Sequence, residues 1–351
     1  MAFFSIKDIA VKGIAAAVPA HMESNWDYEL LTESEKKLLI KTTGVEERRM
    51  ANPGMATSDF CFEAAKKLLQ KLDWNNEEIE ILIFVSQSTD YYLPATAIIL
   101  QDRLGLPKSC MAFDIGLGCS GYVYGLSVIS SIMKAAGLKK GLLMVGDVST
   151  ITCSREDKST YPLFGDAGTV TALQFEENAE AITFDLNSDG SGKDAIIIPH
   201  GGIRNLASPA SFDKAEIAPG IIRSKMELAL NGLDIFNFSI KEVPNSLREF
   251  FDKTETNTDD YNYFVMHQAN KLMNETIRKK AGFPVEKVPY SISKYGNTSS
   301  ASIPLTIVSE LSEQLENSEK KLLLAGFGVG LSWGIVSLPL KNLICAEIIE
   351  L

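Results

Sequence analysis

Short apolar runs alternate along this chain with stretches whose apolar residues recur at every third or fourth position. Residues 80–88 (EILIFVSQS) form one such run, bounded by a charged stretch and polar residues, which predicts a buried strand. Just before it, Phe62, Ala65, Leu68, Leu69 and Leu72 recur at helical spacing and predict a helix over 59–72. The same reading gives a helix over 93–106, a strand over 110–116, a buried helix over 119–137 and strands over 141–148 and 168–176. Beyond a polar stretch at 187–215, taken as surface loops, come a strand and turn over 260–268 and a helix over 271–282 ended by glycine. A helix over 299–315 and strands over 321–328 and 331–340 close the chain. This is an α/β pattern, and both halves end as strand, small-residue helix, strand, turn, strand. It predicts two similar halves, residues 1–178 and 179–351.

Composition narrows the class. The 351 residues are 45% hydrophobic and 23% charged, ordinary globular values that exclude a disordered or collagen-like chain. A net charge of −11 has the wrong sign for a general nucleic-acid binder. No apolar run reaches the length of a bilayer span, and Lys7, Asp8 and Lys12 break up the apolar N-terminus, so neither a membrane span nor a signal peptide is expected. The five cysteines are scattered and never spaced C-x-x-C, which argues against disulfides and zinc and for a reducing cytoplasm. With three histidines, no metal site is expected.

Three residues could carry chemistry. Cys119 sits in FDIGLGCSGYVYG between a predicted strand and helix. A thiol there feels the positive end of the helix dipole, which favours the thiolate, and the glycines admit a carbonyl. The ordinary alternative is a buried structural cysteine, the reading kept for Cys61, Cys110, Cys153 and Cys345. His267 leaves an apolar strand in FVMHQAN, a place where α/β proteins display catalytic groups, although a lone histidine often has no such role. Asn297, in KYGNTSSASIP, precedes a helix as Cys119 does, and could equally be a helix cap. Gly116, Gly118 and Gly121 with Asp147 match a dinucleotide fingerprint, but that reading leaves the second half unexplained. The alternate glycines of GFGVGLSWG (326–334) suit a tight hairpin, or a turn offering a backbone N–H to an oxyanion.

Together these segments resemble the β-ketoacyl-acyl carrier protein synthase III family of the thiolase superfamily. The resemblance runs through TTGVEERRM (42–50), FDIGLGCSGYVYGL (113–126), FGDAGTVTAL (164–173), HQAN (267–270), YGNTSSASIP (295–304) and GFGVGLSWG (326–334). It implies a five-layered αβαβα thiolase-like fold from two pseudo-symmetric halves, assembled as a homodimer. It implies that Cys119 is the acyl-accepting nucleophile, that His267 and Asn297 act in malonyl decarboxylation, and that the backbone N–H groups of Cys119 and Val329 form the oxyanion hole. Leu93 and Phe327 match substrate-pocket positions. An acidic carrier protein would need a basic patch, which Lys271 and Arg278, seven apart on one predicted helix, could supply, though the same pair reads equally as a solvated helical face. The implied activity is acyltransfer of the 3-oxoacyl-carrier-protein synthase III type: acyl-CoA or acyl-carrier protein loads Cys119, and malonyl-carrier protein is condensed with loss of CO2, with no cofactor.

Several positions depart from the family pattern. Leu38 and Thr42 stand where CoA-using members carry the Trp and Arg that grip adenine, Leu272 and Lys158 where Arg is common, Val329 where Gly is usual, and Leu93 where Phe is frequent. These departures favour a carrier-bound or specialised donor. Two alternatives keep the fold but change the function: acyl transfer to a hydroxyl or amine without condensation, and a non-catalytic partner subunit. A cysteine protease, which also runs Cys, His, Asn in order, is disfavoured by the absence of a secretory or disulfide signature.

Overall fold

Hydrogen bonding sorts the main strands into two large sheets that repeat one connectivity, beside three two-stranded ladders. The computed structural model describes residues 2–351. In chain order it runs β1 (Ala2–Ile6), β2 (Ile9–Val18), α1 (Glu33–Thr43), α2 (Thr57–Leu72), β3 (Ile81–Val85), α3 (Thr96–Arg103), β4 (Met111–Ile115), α4 (Gly121–Ala136), β5 (Lys140–Asp147), β6 (Ala167–Phe175) and β7 (Ile182–Ser188). It continues with α5 (Gly232–Thr254), β8 (Tyr263–Met266), α6 (Lys271–Ala281), α7 (Ile292–Tyr295), α8 (Ser302–Leu315), β9 (Glu319–Gly328) and β10 (Ser332–Lys341).

In the first sheet the order is β2-β6-β5-β3-β4, antiparallel across β2, β6 and β5 and parallel across β5, β3 and β4. In the second, β7-β10-β9-β8 repeats the sequence antiparallel, antiparallel, parallel. The chain ends are exchanged: β1 pairs with β7 of the second sheet, while Ile344–Cys345 and Ile349–Glu350 pair with β2 of the first. The 178/179 boundary falls between β6 and β7, and both chain ends lie across it.

Strand alternation sets the layers. Ile81, Ile83 and Val85 of β3 face a central core, whereas Leu82 and Phe84 face the other way, onto α2 and α3. The central core holds α4 and α8 between the inner faces of both sheets, and the outer face of the second sheet packs on α5 and α6. The result is the thiolase-like αβαβα arrangement, helix, sheet, helix, sheet, helix. Because the first ten residues of α4 are buried or half-buried, the helix needs small residues at its closest approaches. A Cβ on Gly125 would stand 2.8 Å from Leu143 and 2.9 Å from Val85.

Most predicted elements lie within a few residues of the observed ones, but β1, β2, α1, β7 and α5 are not among them. The longest helix, α5, has no counterpart in the sequence reading, and Pro244 lies inside it. An interior proline disfavours a helix by about 3 kcal/mol, partly because the carbonyl four residues earlier loses its donor. Here that carbonyl, Ile240 O, accepts instead from Lys280 Nζ of α6 at 2.8 Å. A neighbouring helix thus satisfies the group that proline leaves open.

Candidate active site

Cys119, His267 and Asn297 line one cavity of about 260 Å³, together with Phe327, Gly328 and Val329. Each arrives from a different element. Cys119 ends the loop from β4 into α4, His267 directly follows β8, and Asn297 lies between α7 and α8. Apolar side chains, among them Leu163, Ile196, Leu230 and Met273, form the remaining wall.

The turn beyond β9 is pressed against the thiol. A Cβ on Gly328, whose φ is +154°, would stand 2.6 Å from Cys119 Cβ and 2.9 Å from Sγ, so only glycine fits there. The backbone N–H of Val329 and the hydroxyl of Ser299 both meet the Cys119 sulfur. Even so, burial dominates and pushes the thiol up to about 11, with the Asp147 carboxylate acting in the same direction. Burial thus works against the thiolate that a helix start favours, and a thiol at about 11 is protonated near pH 7.

His267 is held by two neighbours. Its Nδ1 lies 2.8 Å from Ser302 Oγ, and the edge of its ring packs on Phe327 with centroids 5.5 Å apart. Burial pulls its pKa down to about 4, opposed by a hydrogen bond to the Ser299 backbone, so the imidazole is neutral near pH 7. Asn297 accepts at Oδ1 from the Ser299 N–H at 2.9 Å. That bond fixes the amide orientation and leaves Nδ2 as the donor end. Ser299 therefore touches all three residues, from a left-handed backbone (φ +50°) unusual for a non-glycine residue. The sequence reading places 299–302 only at the start of a helix after the polar Asn297 turn; the run of hydroxyls is the available signal.

Asp147 is fully buried with no basic partner. It accepts from Ser86 Oγ (3.0 Å), Gln87 N (2.7 Å) and Ser300 Oγ (2.7 Å), while burial raises its pKa. It joins the loop after β3 to the turn before α8, and both of its carboxylate oxygens are already taken by protein donors rather than turned out to a ribose. Gly121 is packed with its would-be Cβ 2.8 Å from Val85, and the space at Gly118 is already filled by the side chains of Gln87 and Val329. Both observations go against the dinucleotide reading.

Two other expectations need correction. Leu93 does not line the cavity; it is 81% exposed on the loop before α3, beside exposed Tyr91 and Tyr92. Arg278 is not a free surface cation. Its guanidinium grips Glu275 through Nε and Nη2 and donates to Phe283 O at 2.6 Å, leaving the side chain 14% exposed. Lys271 is exposed, as expected for a docking residue. Phe327 is in the cavity wall, and Cys61, Cys110 and Cys153 are buried unpaired thiols whose pKa burial raises.

A thiol at about 11 has a thiolate fraction that grows with pH through the neutral range. Alkylation of Cys119 by iodoacetamide is therefore expected to accelerate about tenfold per pH unit from about pH 7 to about pH 10. Peptide mass mapping of Cys119 across that range checks this, and a plateau near neutrality would contradict it.

Comparison with known proteins agrees with this geometry. Residues 113–190 match the model for 3-oxoacyl-[acyl-carrier-protein] synthase III, and 251–339 match the model for its C-terminal part. The β-ketoacyl-[acyl-carrier-protein] synthase III of Clostridioides difficile is 31% identical over 328 residues, spanning 92% of this chain and 96% of that one. The Streptococcus pneumoniae enzyme of the same name is 31% identical over 334 residues, 94% of this chain and 98% of that one. Among solved structures, the 3-oxoacyl-(acyl-carrier protein) synthase of Burkholderia xenovorans superposes with a TM-score of 0.93 at 38% identity, covering 99% of both chains. The synthase III of Pseudomonas aeruginosa gives 0.83 at 28% identity, covering 95% of this chain and 99% of that one. With strand order, layers and sequence all in agreement, this chain belongs to the β-ketoacyl-[acyl-carrier-protein] synthase III family of acyl-transferring condensing enzymes.

Proposed function

We propose that Cys119 takes an acyl group from a thioester and that His267 and Asn297 then drive decarboxylative condensation with malonyl-acyl carrier protein. In the first step Cys119 sulfur bonds to the acyl carbon and the donor's C–S bond breaks, the thiol proton leaving with the departing thiol. The oxyanion sits between the N–H groups of Cys119 and Val329. In the second step the malonyl thioester carbonyl accepts hydrogen bonds from His267 Nε2 and Asn297 Nδ2. The C–CO2 bond breaks, its electron pair becomes the enolate, and the enolate carbon attacks the acyl-cysteine. A β-ketoacyl-carrier protein and CO2 leave, and the Cys119 sulfur regains a proton.

The observation that carries this reading is the tethering of both partners away from the cavity. Ser299 N–H holds Asn297 Oδ1 and leaves Nδ2 as the donor end, and in the tautomer where His267 Nδ1 accepts from Ser302 Oγ the ring presents an N–H at Nε2. A histidine at about 4 suits that task, because it donates a hydrogen bond without becoming a charged acid. Acyl transfer alone has no use for this pair, and condensation does. The chemistry calls for thioesters only and for no bound cofactor.

We take the acyl donor to be carrier-bound or otherwise specialised, since exposed Leu38 and half-buried Thr42 offer no aromatic ring or guanidinium to CoA adenine. The five unpaired cysteines support a reducing, cytoplasmic setting. A homodimer is supported by β4, the free edge of the first sheet, and by the exposed Tyr91, Tyr92, Leu93, Ile98 and Met111. In such a pair Leu93 would serve the acyl pocket of the second copy.

Intact-protein mass after incubation with acyl-CoA and acyl-carrier protein is expected to show an adduct that Cys119→Ala abolishes and malonyl-carrier protein discharges with CO2 release. His267→Ala and Asn297→Ala should still acylate but condense about 10²–10³-fold more slowly. An adduct that malonyl thioester never discharges would instead favour simple acyl transfer. Lys271→Glu is expected to raise KM for the carrier-bound substrate several-fold with kcat unchanged, measured in steady state. An unaltered KM would remove that docking residue. Light scattering should give twice the chain mass, and Leu93→Ala should alter acyl-length preference. A fully active monomer would overturn both dimer statements.

A further inference from the structure

Ser120 occupies the position before α4 where serine ordinarily caps a helix by accepting from a first-turn N–H, yet it makes no such bond. Its buried hydroxyl instead lies 2.7 Å from Ser332 Oγ, 212 residues further along the chain. Ser332 Oγ in turn lies 2.9 Å from the carbonyl oxygen of Val329. A carbonyl only accepts, so Ser332 donates to Val329 and Ser120 donates to Ser332. The relay has one direction.

It ends on the segment that most needs holding. Val329 stands between Gly328 (φ +154°) and Gly330 (φ +139°), two residues with little conformational preference of their own. Beyond them, Leu331 and Asp189 exchange backbone hydrogen bonds at 2.9 and 2.8 Å, which anchors the far side of the turn. The near side must keep the Val329 N–H on the Cys119 sulfur, and a tether on the Val329 carbonyl limits its rotation. Ser120 is the residue next to Cys119, so the relay refers the oxyanion turn to the nucleophile's own backbone. Neither hydroxyl lines the cavity.

We propose that Ser120 and Ser332 are positioning residues that fix the Val329 peptide over Cys119, an inference that rests on Cys119 being the acylated nucleophile. Single-turnover acylation of Ser332→Ala by the donor that labels the wild type is expected to slow about tenfold, with KM changed less than about twofold. Ser120→Ala should slow it similarly, and the double variant should be no slower than Ser332→Ala, because both remove one relay. Ser332→Thr, which keeps the hydroxyl, should restore most of the rate. Alkylation by iodoacetamide at high pH needs the sulfur but develops no oxyanion, so it should fall less than about threefold in every variant. Unchanged acylation, additive single effects, or equal losses in acylation and alkylation would each overturn the proposal. If Ser332→Ala does not fold, Ser120→Ala carries the same comparison. A wild type that no donor labels would count against the nucleophile assignment instead, and is read separately by mass.

Discussion

Two backbone hydrogen bonds hold the halves of this protein together at its cavity. Asn297 N donates to Leu163 O at 2.9 Å, and Gly165 N donates to Asn297 O at 3.1 Å. Everything placed by the 297–302 segment depends on that short parallel bridge: the Asn297 amide, the Ser299 contacts and the start of α8. The bridge is braced from behind by Arg48, whose buried guanidinium donates to the carbonyls of Tyr161 and Phe164 and pairs with Glu23 at 3.2 Å. A second buried tie, from Asp147 to Ser300, joins the same turn to the first sheet. The site is therefore a junction between two layered halves, and its geometry is inherited from their packing.

Pseudo-symmetry gives that junction its chemical character. Helices α4 and α8 both start at the cavity, and neither N-terminus is capped by a side chain. Their first-turn N–H groups and dipoles give the region a preference for negative charge, about 0.3–1 kcal/mol per terminus and up to ~2 when partly buried. Holding the thiol at about 11 against an ordinary 9 disfavours the thiolate by about 3 kcal/mol. Burial wins at rest, so the site is electrically quiet until a substrate brings developing charge into it. Catalysis in such a site depends on donors already aimed where that charge appears, which is why fixed amides and tethered side chains matter more here than a preformed ion pair.

How much of this was legible depended on the range of the interaction. Strands such as β3 could be read because five consecutive buried residues between polar flanks leave little alternative. The connectivity repeat was visible as a pattern of element types, even though residue identities in the halves do not match. The exchanged ends were not legible, because nothing in Ala2–Ile6 distinguishes pairing with β7 from pairing with its sequence neighbour β2. Nor was α5, since Pro244 reads locally as a breaker and its remedy, Lys280, lies on another helix. Arg278 was misjudged for a local reason: Glu275, three residues earlier, was in plain view and occupies it.

Site residues followed the same rule. Cys119, His267 and Asn297 could be singled out because each is a reactive type at a strand end or helix start, and chemistry selects such places in advance. Ser299, Ser302, Ser120 and Ser332 could not, since a serine carries no sign of which distant group it will meet. Their identity comes from long-range contacts around the site, 2.8 Å from Ser302 to His267 and 2.7 Å between Ser120 and Ser332. A motif therefore singles out candidate atoms, whereas the fold brings up the hydroxyls that meet them. In a buried site with no charge pair, orientation is left to such neutral contacts.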